Sequence, residues 1–148
     1  MQRIQLICVG KLKESYYIDA CGEYAKRLGR YCSLERLELP ETGDIECDGE
    51  AVLKKLTPDV YVVAMCVEGK SVSSEELAAL LHDCANRGKS RVSFVIGGSD
   101  GLSDAVKERA DARISMSRMT FPHHLARVML LEQIYRAFTI LGGGKYHK

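Results

Sequence analysis

The sequence predicts an α/β fold in which a mostly parallel sheet is flanked by helices. Strand-like and helix-like segments alternate along all 148 residues, and this alternation favours parallel strands joined by crossover helices. The central strand candidates are apolar without interruption, as expected of strands that helices cover on both faces. The chain, residues 1–148, has the length of one domain and can bury a full core.

The N-terminal half contains three predicted strands and two predicted helices. The first helix is indicated by apolar residues at spacings of three and four, among them Tyr17, Tyr24 and Leu28. In chain order the predicted elements are strand Arg3–Val9, helix Glu14–Arg30, strand Ser33–Leu39, an acidic loop Pro40–Asp48, helix Glu50–Leu56 and strand Asp59–Met65.

The C-terminal half continues the alternation. Ser73 or Ser74 is a suitable cap for a helix ending near Asn86, since glutamates follow at the positive end of the helix dipole. The further predicted elements are strand Arg91–Ile96, a short helix from Ser103, strand Ala112–Met116 and a long helix from Pro122 to about Leu141.

Composition narrows the class of protein. The chain is 46% hydrophobic and 28% charged, which is ordinary for a soluble globular protein. A net charge of +1 argues against a protein that coats naked nucleic acid. No apolar run is long enough for a membrane span and no signal peptide begins the chain, so we expect a cytoplasmic protein. The cysteines form no C-x-x-C pair and are expected to be free thiols that bind no metal: Cys8, Cys21, Cys32, Cys47, Cys66 and Cys84.

Two glycine-containing segments are candidate ligand sites. The turn Gly97–Gly101 follows a buried strand, and a ligand-binding turn and an ordinary connection are equally compatible with it. The segment Glu68–Ser71 resembles the end of a phosphate-binding P-loop, but Ala64 occupies the position of the first glycine. A strand-to-helix loop beside a ligand site, with Gly69 in a turn, is the better interpretation.

The last helix is apolar around most of its circumference. One row runs from Leu125 to Phe138 and a second, adjacent row from Leu130 to Leu141. Since a helix with two apolar rows is buried on more than one side, the second row predicts contact with another subunit in a homodimer. His123 and His124 begin this helix and point about 100° apart, so they are poor joint metal ligands. Structural or RNA-facing roles suit them better.

The chain carries Tyr146, His147 and Lys148 directly after three glycines. Such a tail is either disordered or a hinged set of acid–base and phosphate-binding groups. Four arginines of the C-terminal third are either surface cations or phosphate ligands: Arg113, Arg118, Arg127 and Arg136.

Four motifs together resemble a known family. They are Phe94–Leu102 (FVIGGSDGL), Ser117–His123 (SRMTFPH), Leu131–Ala137 (LEQIYRA) and the tail Tyr146–Lys148 (YHK). With the N-terminal Ile4–Lys11, they resemble the ribosomal RNA large subunit methyltransferase H family, small bacterial members of the SPOUT methyltransferases, over the whole chain.

The resemblance implies a SPOUT-type α/β knot, with a deep trefoil knot near the C-terminus, and S-adenosylmethionine as cofactor. General topology rules disfavour knots, so this expectation comes from the family alone. The implied cofactor residues are Met65, Gly97, Gly98 and the segment Met116, Ser117, Arg118, Met119, Thr120 and Phe121. The family commonly has leucine in place of Met65. The resemblance gives the acidic loop Glu41–Cys47 no role.

The implied reaction is methylation of N3 of a pseudouridine in the helix 69 loop of 23S rRNA, on the assembled bacterial ribosome. The tail of one subunit would close over the cofactor of the other, with His147 removing the proton, Tyr146 positioning the base and Lys148 binding phosphate. Arg118 and Arg136 are weaker candidates for RNA contacts. Two alternatives remain open: a P-loop-like nucleotide-binding enzyme, and a non-catalytic ribosome-associated dimer with the same fold.

Overall fold

A computed structural model describes all 148 residues as five strands and five helices in strict alternation. The predicted α/β class is therefore confirmed. The elements are β1 Gln2–Val9, α1 Ser15–Leu28, β2 Cys32–Leu39, α2 Ile45–Leu53, β3 Tyr61–Ser71, α3 Ser74–Asn86, β4 Arg91–Ile96, α4 Asp104–Arg109, β5 Ala112–Ser115 and α5 His123–Leu141.

The five strands form one sheet in the order β2-β1-β4-β3-β5. Every neighbouring pair is parallel, so the carboxyl ends of all five strands lie along the same edge. In open α/β sheets, this is the edge where ligands bind. The trefoil knot stays a prediction from the family resemblance.

Helices cover both faces of the sheet. On one face, α5 packs against both α1 and α3. On the other face, α2 packs against α4. Two hydrophobic clusters follow from these layers, a larger one that includes Phe94, Leu131 and Ile134 and a smaller one that includes Val52 and Val106. Because α5 contacts α1 and α3 of its own chain, its two apolar rows are largely accounted for within one subunit. The apolar circumference of α5 is therefore not evidence for a dimer, and the homodimer stays a prediction.

Helix α2 begins earlier than predicted, inside the segment expected to be an acidic loop. Asp44 caps it, accepting hydrogen bonds from the backbone N–H groups of Glu46 at 3.0 Å and Cys47 at 3.2 Å. The expected loop is confirmed over Pro40–Asp44 and was wrong over Ile45–Asp48, because Asp44 serves as the cap and the next acidic residues form the first helical turn.

Strand β3 is longer than predicted and contains the P-loop-like segment. After a register shift between Met65 and Lys70, the strand pairs again with β5 through Lys70 and Ser71. A Cβ at Gly69 would lie 2.7 Å from backbone atoms of Ile114, so glycine here permits the close approach of two strands. The expected turn at Gly69 was wrong, and a P-loop cannot form from residues in a strand.

Four of the six cysteines are buried, Cys66 is half-buried and Cys47 is exposed, and all six are free thiols. No helix is long and apolar enough to cross a lipid bilayer.

Candidate functional site

A cleft of about 740 Å³ lies at the carboxyl ends of β4, β3 and β5. Three stretches of chain form most of its wall: the irregular part of β3 from Met65 to Glu68, the turn from Ile96 to Leu102, and the connection from β5 to α5. All three follow parallel strands, so the sheet itself brings them together. The volume is in the range of small-molecule sites.

The glycine turn is built so that its backbone forms part of the cleft. A Cβ at Gly97 would lie 2.4 Å from the carbonyl carbon and oxygen of Gly101, so no other residue fits without moving the turn. The Gly101 N–H donates to the Gly98 carbonyl at 3.1 Å and closes the turn. Since all of these residues line the cleft, the placement favours a ligand-binding turn over an ordinary connection.

The connection between β5 and α5 is held by its own serines. The Ser115 hydroxyl donates to the Ser117 carbonyl at 2.8 Å, and the Ser117 hydroxyl accepts from the Met119 N–H at 3.0 Å. These bonds direct Met116 and Phe121 to the cleft wall. Met119 also lines the cleft and is 71% exposed, so a large apolar side chain lies at the cleft entrance.

The structure brings eight of the nine predicted cofactor residues to this cleft. Arg118 is the ninth: it is exposed and does not belong to the lining. The eight that line the cleft are Met65, Gly97, Gly98, Met116, Ser117, Met119, Thr120 and Phe121.

Sequence patterns missed an ion pair in the cleft wall. Glu68, in the irregular part of β3, forms an ion pair with Lys107 of α4 at 2.5 Å, and both residues line the cleft. The hydrogen bond from Lys107 holds the pKa of Glu68 below its ordinary value. Because the pair is partly exposed, solvent screening limits its contribution to stability.

The C-terminal tail is ordered against its own chain, away from the cleft lining. The Tyr146 hydroxyl donates to Glu132 of α5 at 2.8 Å. The ring of Tyr146 also packs edge-on against Tyr135 and lies below the guanidinium of Arg136 at 4.8 Å. His147 bridges two elements, contacting Arg136 at 3.1 Å and Glu75 of α3 at 2.6 Å. The expectation of a frayed end does not apply to these two residues.

The partners of His147 define its tautomer. Arginine can only donate hydrogen bonds, so the Nδ1 atom facing Arg136 is the acceptor. The proton then resides on Nε2, which donates to the carboxylate of Glu75. In this position the single basic atom of the neutral imidazole is already occupied.

Burial, followed by the hydrogen bond to Glu132, raises the pKa of Tyr146 to about 12. Burial of Glu132 disfavours its charge, yet hydrogen bonds from Arg136 and Tyr146 outweigh this and lower its pKa overall. At neutral pH the pair is therefore a protonated phenol donating to an ionised carboxylate. Tyr146 is suited to positioning a group and unsuited to removing a proton.

The arginines of the C-terminal third separate into different environments. Arg127 is buried, with an ion pair to Glu38 at 2.7 Å and a hydrogen bond to the Gly10 carbonyl at 3.2 Å, so it is neither a surface cation nor free for phosphate. Arg136 is engaged by Glu132 and the tail. Arg118 and Arg113 are exposed.

The two histidines at the start of α5 also differ in position. His123 lines the cleft and its Nδ1 atom is buried without a hydrogen-bond partner, and burial lowers its pKa. His124 lies 3.7 Å from Glu14. No group of three or more His, Cys, Asp or Glu side chains is arranged to hold a metal ion.

The parallel sheet, the glycine turn and the cleft at its carboxyl edge together define an α/β enzyme with a small-molecule site. The family model described as predicted SPOUT methyltransferase matches residues 2–147. The ribosomal RNA large subunit methyltransferase H of Clostridium acetobutylicum is 52% identical, covering 98% of this chain and 99% of that protein. The protein of the same name from Bacillus pumilus is 48% identical over the same shares.

Solved structures agree on the fold. A probable methyltransferase from Bordetella pertussis matches with a TM-score of 0.59 at 13% identity, over 93% of this chain and 96% of that one. The SpoU methyltransferase AviRb from Streptomyces viridochromogenes, solved with AdoMet, matches with a TM-score of 0.50 at 16% identity, over 95% of this chain and 58% of that one. The chain belongs to the SPOUT methyltransferases, in the ribosomal RNA large subunit methyltransferase H family.

The cleft fits the cofactor of this family. Its apolar wall, which includes Met65, Ile96 and Met116, suits an adenine ring, and the close-packed backbone at Gly97 leaves a cradle that any Cβ would disturb. An apolar pocket with a few convergent polar groups is typical of cofactor sites. Methionine at position 65 retains a flexible apolar contact where the family commonly has leucine.

Proposed function

We propose that this protein methylates N3 of a pseudouridine in the helix 69 loop of 23S rRNA, using S-adenosylmethionine, on the assembled bacterial ribosome in the cytoplasm. The observation that carries the proposal is the convergence of eight family-implied cofactor residues on one cleft of the right size. The relatives named for large-subunit rRNA support the substrate. A net charge of +1 is better suited to a preassembled target than to free RNA.

Each part of the cleft has a chemical task in this proposal. Met65 and Met116 would contact the adenine, and the backbone of Gly97 and Gly98 would bind polar atoms of the cofactor. When bound, the cofactor supplies an electrophilic methyl group on a sulfonium. The chain must then exclude water, hold the base in line with that group and remove the N3 proton.

The tail is proposed to supply the groups that act on the RNA base. His147 is the proposed base, Tyr146 the positioning group and Lys148 a phosphate contact, with Arg118 and Arg136 as further proposed RNA contacts. Arg136 occupies the basic Nδ1 of His147 in the docked tail. Proton removal therefore requires the imidazole to leave Arg136, which couples catalysis to movement of the tail.

Since the tail does not line the cleft of its own chain, we propose that it serves the cleft of a second subunit in a homodimer. Mixing two inactive variants tests this. Gly97→Ala damages the cleft, whereas deletion of residues 146–148 removes the tail. Each mixed dimer would contain one intact site out of two and should therefore regain up to half of the wild-type activity per dimer. Failure of the mixture to regain any transfer, with mixed dimers present by mass, would contradict action between subunits.

The substrate is tested by methyl transfer from labelled S-adenosylmethionine to ribosomes lacking this modification, with naked 23S rRNA in parallel. Mass spectrometry should locate the label on a helix 69 pseudouridine, in ribosomes only. Label at another base would support the use of S-adenosylmethionine but exclude the helix 69 pseudouridine as the substrate. ATP binding without S-adenosylmethionine binding would instead favour a nucleotide-binding enzyme.

Removal of Tyr146, His147 and Lys148 tests the tail. We expect methyl transfer to fall at least about a hundredfold, the usual contribution of a positioned base, while the dissociation constant for S-adenosylmethionine changes less than about twofold. Turnover that survives the deletion would exclude the tail as the source of the base. A wild-type chain that binds ribosomes and cofactor without transfer would support the non-catalytic dimer.

A further inference from the structure

The loop after β2 reaches the glycine turn of the cleft, although β1 lies between β2 and β4 in the sheet. The carboxylate of Glu41 accepts hydrogen bonds from both the N–H of Ser99, at 2.9 Å, and the hydroxyl of Ser99, at 2.7 Å. These two bonds, the side-chain bond first, lower the pKa of Glu41. The carboxylate is therefore ionised at neutral pH, and its hydrogen bonds are of the stronger, charge-assisted kind.

The glycine at position 98 makes this contact possible. A Cβ there would lie 2.5 Å from Oε2 of Glu41, so only glycine leaves room for the carboxylate against the turn. Glu41 does not line the cleft itself, whereas Gly98 and Ser99 do. The carboxylate thus holds the turn from outside the cleft.

The loop that carries Glu41 is itself fixed. The N–H and hydroxyl of Thr42 both donate to Asp48, at 3.1 Å and 2.7 Å to the same oxygen, and Asp48 is 8% exposed. Helix α2 then contacts the chain just beyond the turn, where a Cβ at Gly49 would overlap the Ser103 hydroxyl. One segment, Glu41–Gly49, therefore contacts the turn on Ser99 and the residue that caps α4.

We infer that Glu41 is a positioning residue for cofactor binding, acting through the backbone of the turn Gly97–Ser99. The inference rests on the proposed use of S-adenosylmethionine in this cleft. A free turn would have to be ordered when the cofactor binds, and a turn already held by a carboxylate avoids that entropic cost. The acidic loop, to which the family resemblance gives no role, thereby becomes part of the binding site.

Isothermal titration with S-adenosylmethionine alone, without RNA, tests this. Glu41→Ala should raise the dissociation constant at least about tenfold, because the turn loses both of its charge-assisted hydrogen bonds to the carboxylate. Glu41→Gln retains an acceptor and should recover most of the affinity. Glu46→Ala is the matched control because Glu46 is an exposed carboxylate of the same segment. The control should bind as the wild type does.

A second readout separates positioning from general stability. In the ligand-free protein, the Ser99 amide resonance should shift and its hydrogen exchange should accelerate in Glu41→Ala, while the amide resonances of α1 and α5 stay where they are in the wild type. A double-mutant cycle adds a test of the contact: Gly98→Ala should weaken binding in the wild type and do so less in Glu41→Ala, where the methyl group has room.

The outcomes are distinct. If the wild type and Glu41→Ala bound S-adenosylmethionine with equal affinity, the positioning role would be overturned and the proposed function would stand. Absence of binding by the wild type would overturn both. Additive effects of Gly98→Ala and Glu41→Ala would show that the two residues act separately, which also contradicts the inference.

Discussion

The glycine turn Gly97–Gly101 and the tail Tyr146–Lys148 are two glycine-associated regions that are held in opposite ways. The turn is fixed mainly by its own backbone: Gly97 packs against the Gly101 carbonyl, and the sheet sets where the turn begins. Only one side chain, that of Glu41, holds it from outside, through Ser99. The tail is fixed by side chains, through Glu132, Arg136 and Glu75.

The difference teaches how each region responds to change. A turn built from close-packed backbone cannot accept an added methyl group, and Glu41 is the one supporting side chain that it can lose. A tail held by three hydrogen-bonding side chains can be released one bond at a time, each of about 1 kcal/mol. The cleft is thus suited to permanent preorganisation and the tail to movement, and the predictions below test that division.

The largest effect is expected at the turn. Gly97→Ala places a methyl group 2.4 Å from the Gly101 backbone, which must displace the turn. We expect the free energy of unfolding to fall by about 2–3 kcal/mol and S-adenosylmethionine binding to weaken at least about a hundredfold. Denaturant titration and calorimetric titration measure the two effects.

The matched control is Gly22→Ala in α1, where an added Cβ meets no atom within 4 Å. Alanine is the better helix former, so the free energy of unfolding of this variant should rise by about 1 kcal/mol. Its affinity for S-adenosylmethionine should equal that of the wild type. If Gly97→Ala bound the cofactor normally, the turn would not be preorganised by its backbone.

An intermediate effect is expected at Tyr146. Tyr146→Phe removes the 2.8 Å hydrogen bond to Glu132, while Arg136 still satisfies the carboxylate. Methyl transfer should fall about five- to tenfold because the phenol proposed to position the base is lost, a hydrogen bond of about 1 kcal/mol. Cofactor affinity should change less than about twofold.

Tyr16→Phe is the control, since Tyr16 is 65% exposed on α1. It should leave transfer unchanged. Equal rates for wild type and Tyr146→Phe would mean that the tail is not held through its phenol during the reaction.

The smallest effect is expected from mild acid. The pKa of Glu75 is lowered by the hydrogen bond from His147, and that of Glu132 is lowered overall by its hydrogen-bond donors despite burial. A carboxyl whose pKa is lower when the tail is docked stabilises docking above its ordinary value of 4.5 and ceases to do so as the pH falls through the lowered value.

The contribution of these two carboxylates to docking should therefore be constant above about pH 5 and be lost only below that value. The ring resonances of Tyr146, followed by NMR, report the transition. Release of the tail between pH 6 and pH 7 would contradict control by these carboxylates.

Much of the fold could be predicted because local periodicity carries it. The buried strands and α5 follow from runs of apolar residues, and the capping pattern at Ser73 is confirmed by a reciprocal pair of hydrogen bonds with Glu76. The start of α2 and the end of β3 were predicted as loop because aspartate and glycine, the residues at positions 44 and 69, are also common in loops. Only the packed structure shows that one is a cap and the other a close strand contact.

The site could be predicted only in part, and for a different reason. The candidate cofactor residues were named through the family resemblance, since glycine spacing alone left two interpretations open. The contact between Glu41 and Ser99 spans 58 positions of sequence, and that between Arg127 and Glu38 spans 89. Such contacts depend on strand order, which no local pattern encodes.

The burial of the cysteines has a practical consequence for reagents. Burial raises the pKa of Cys8 to about 12 and that of Cys32 to about 11, so neither thiol forms the nucleophilic thiolate near neutral pH. A maleimide should therefore react first at the exposed Cys47 and then at Cys66, which borders the cleft. The unmodified chain thus carries a fluorophore attachment point on α2, and slower alkylation of Cys66 would report occupancy of the cleft.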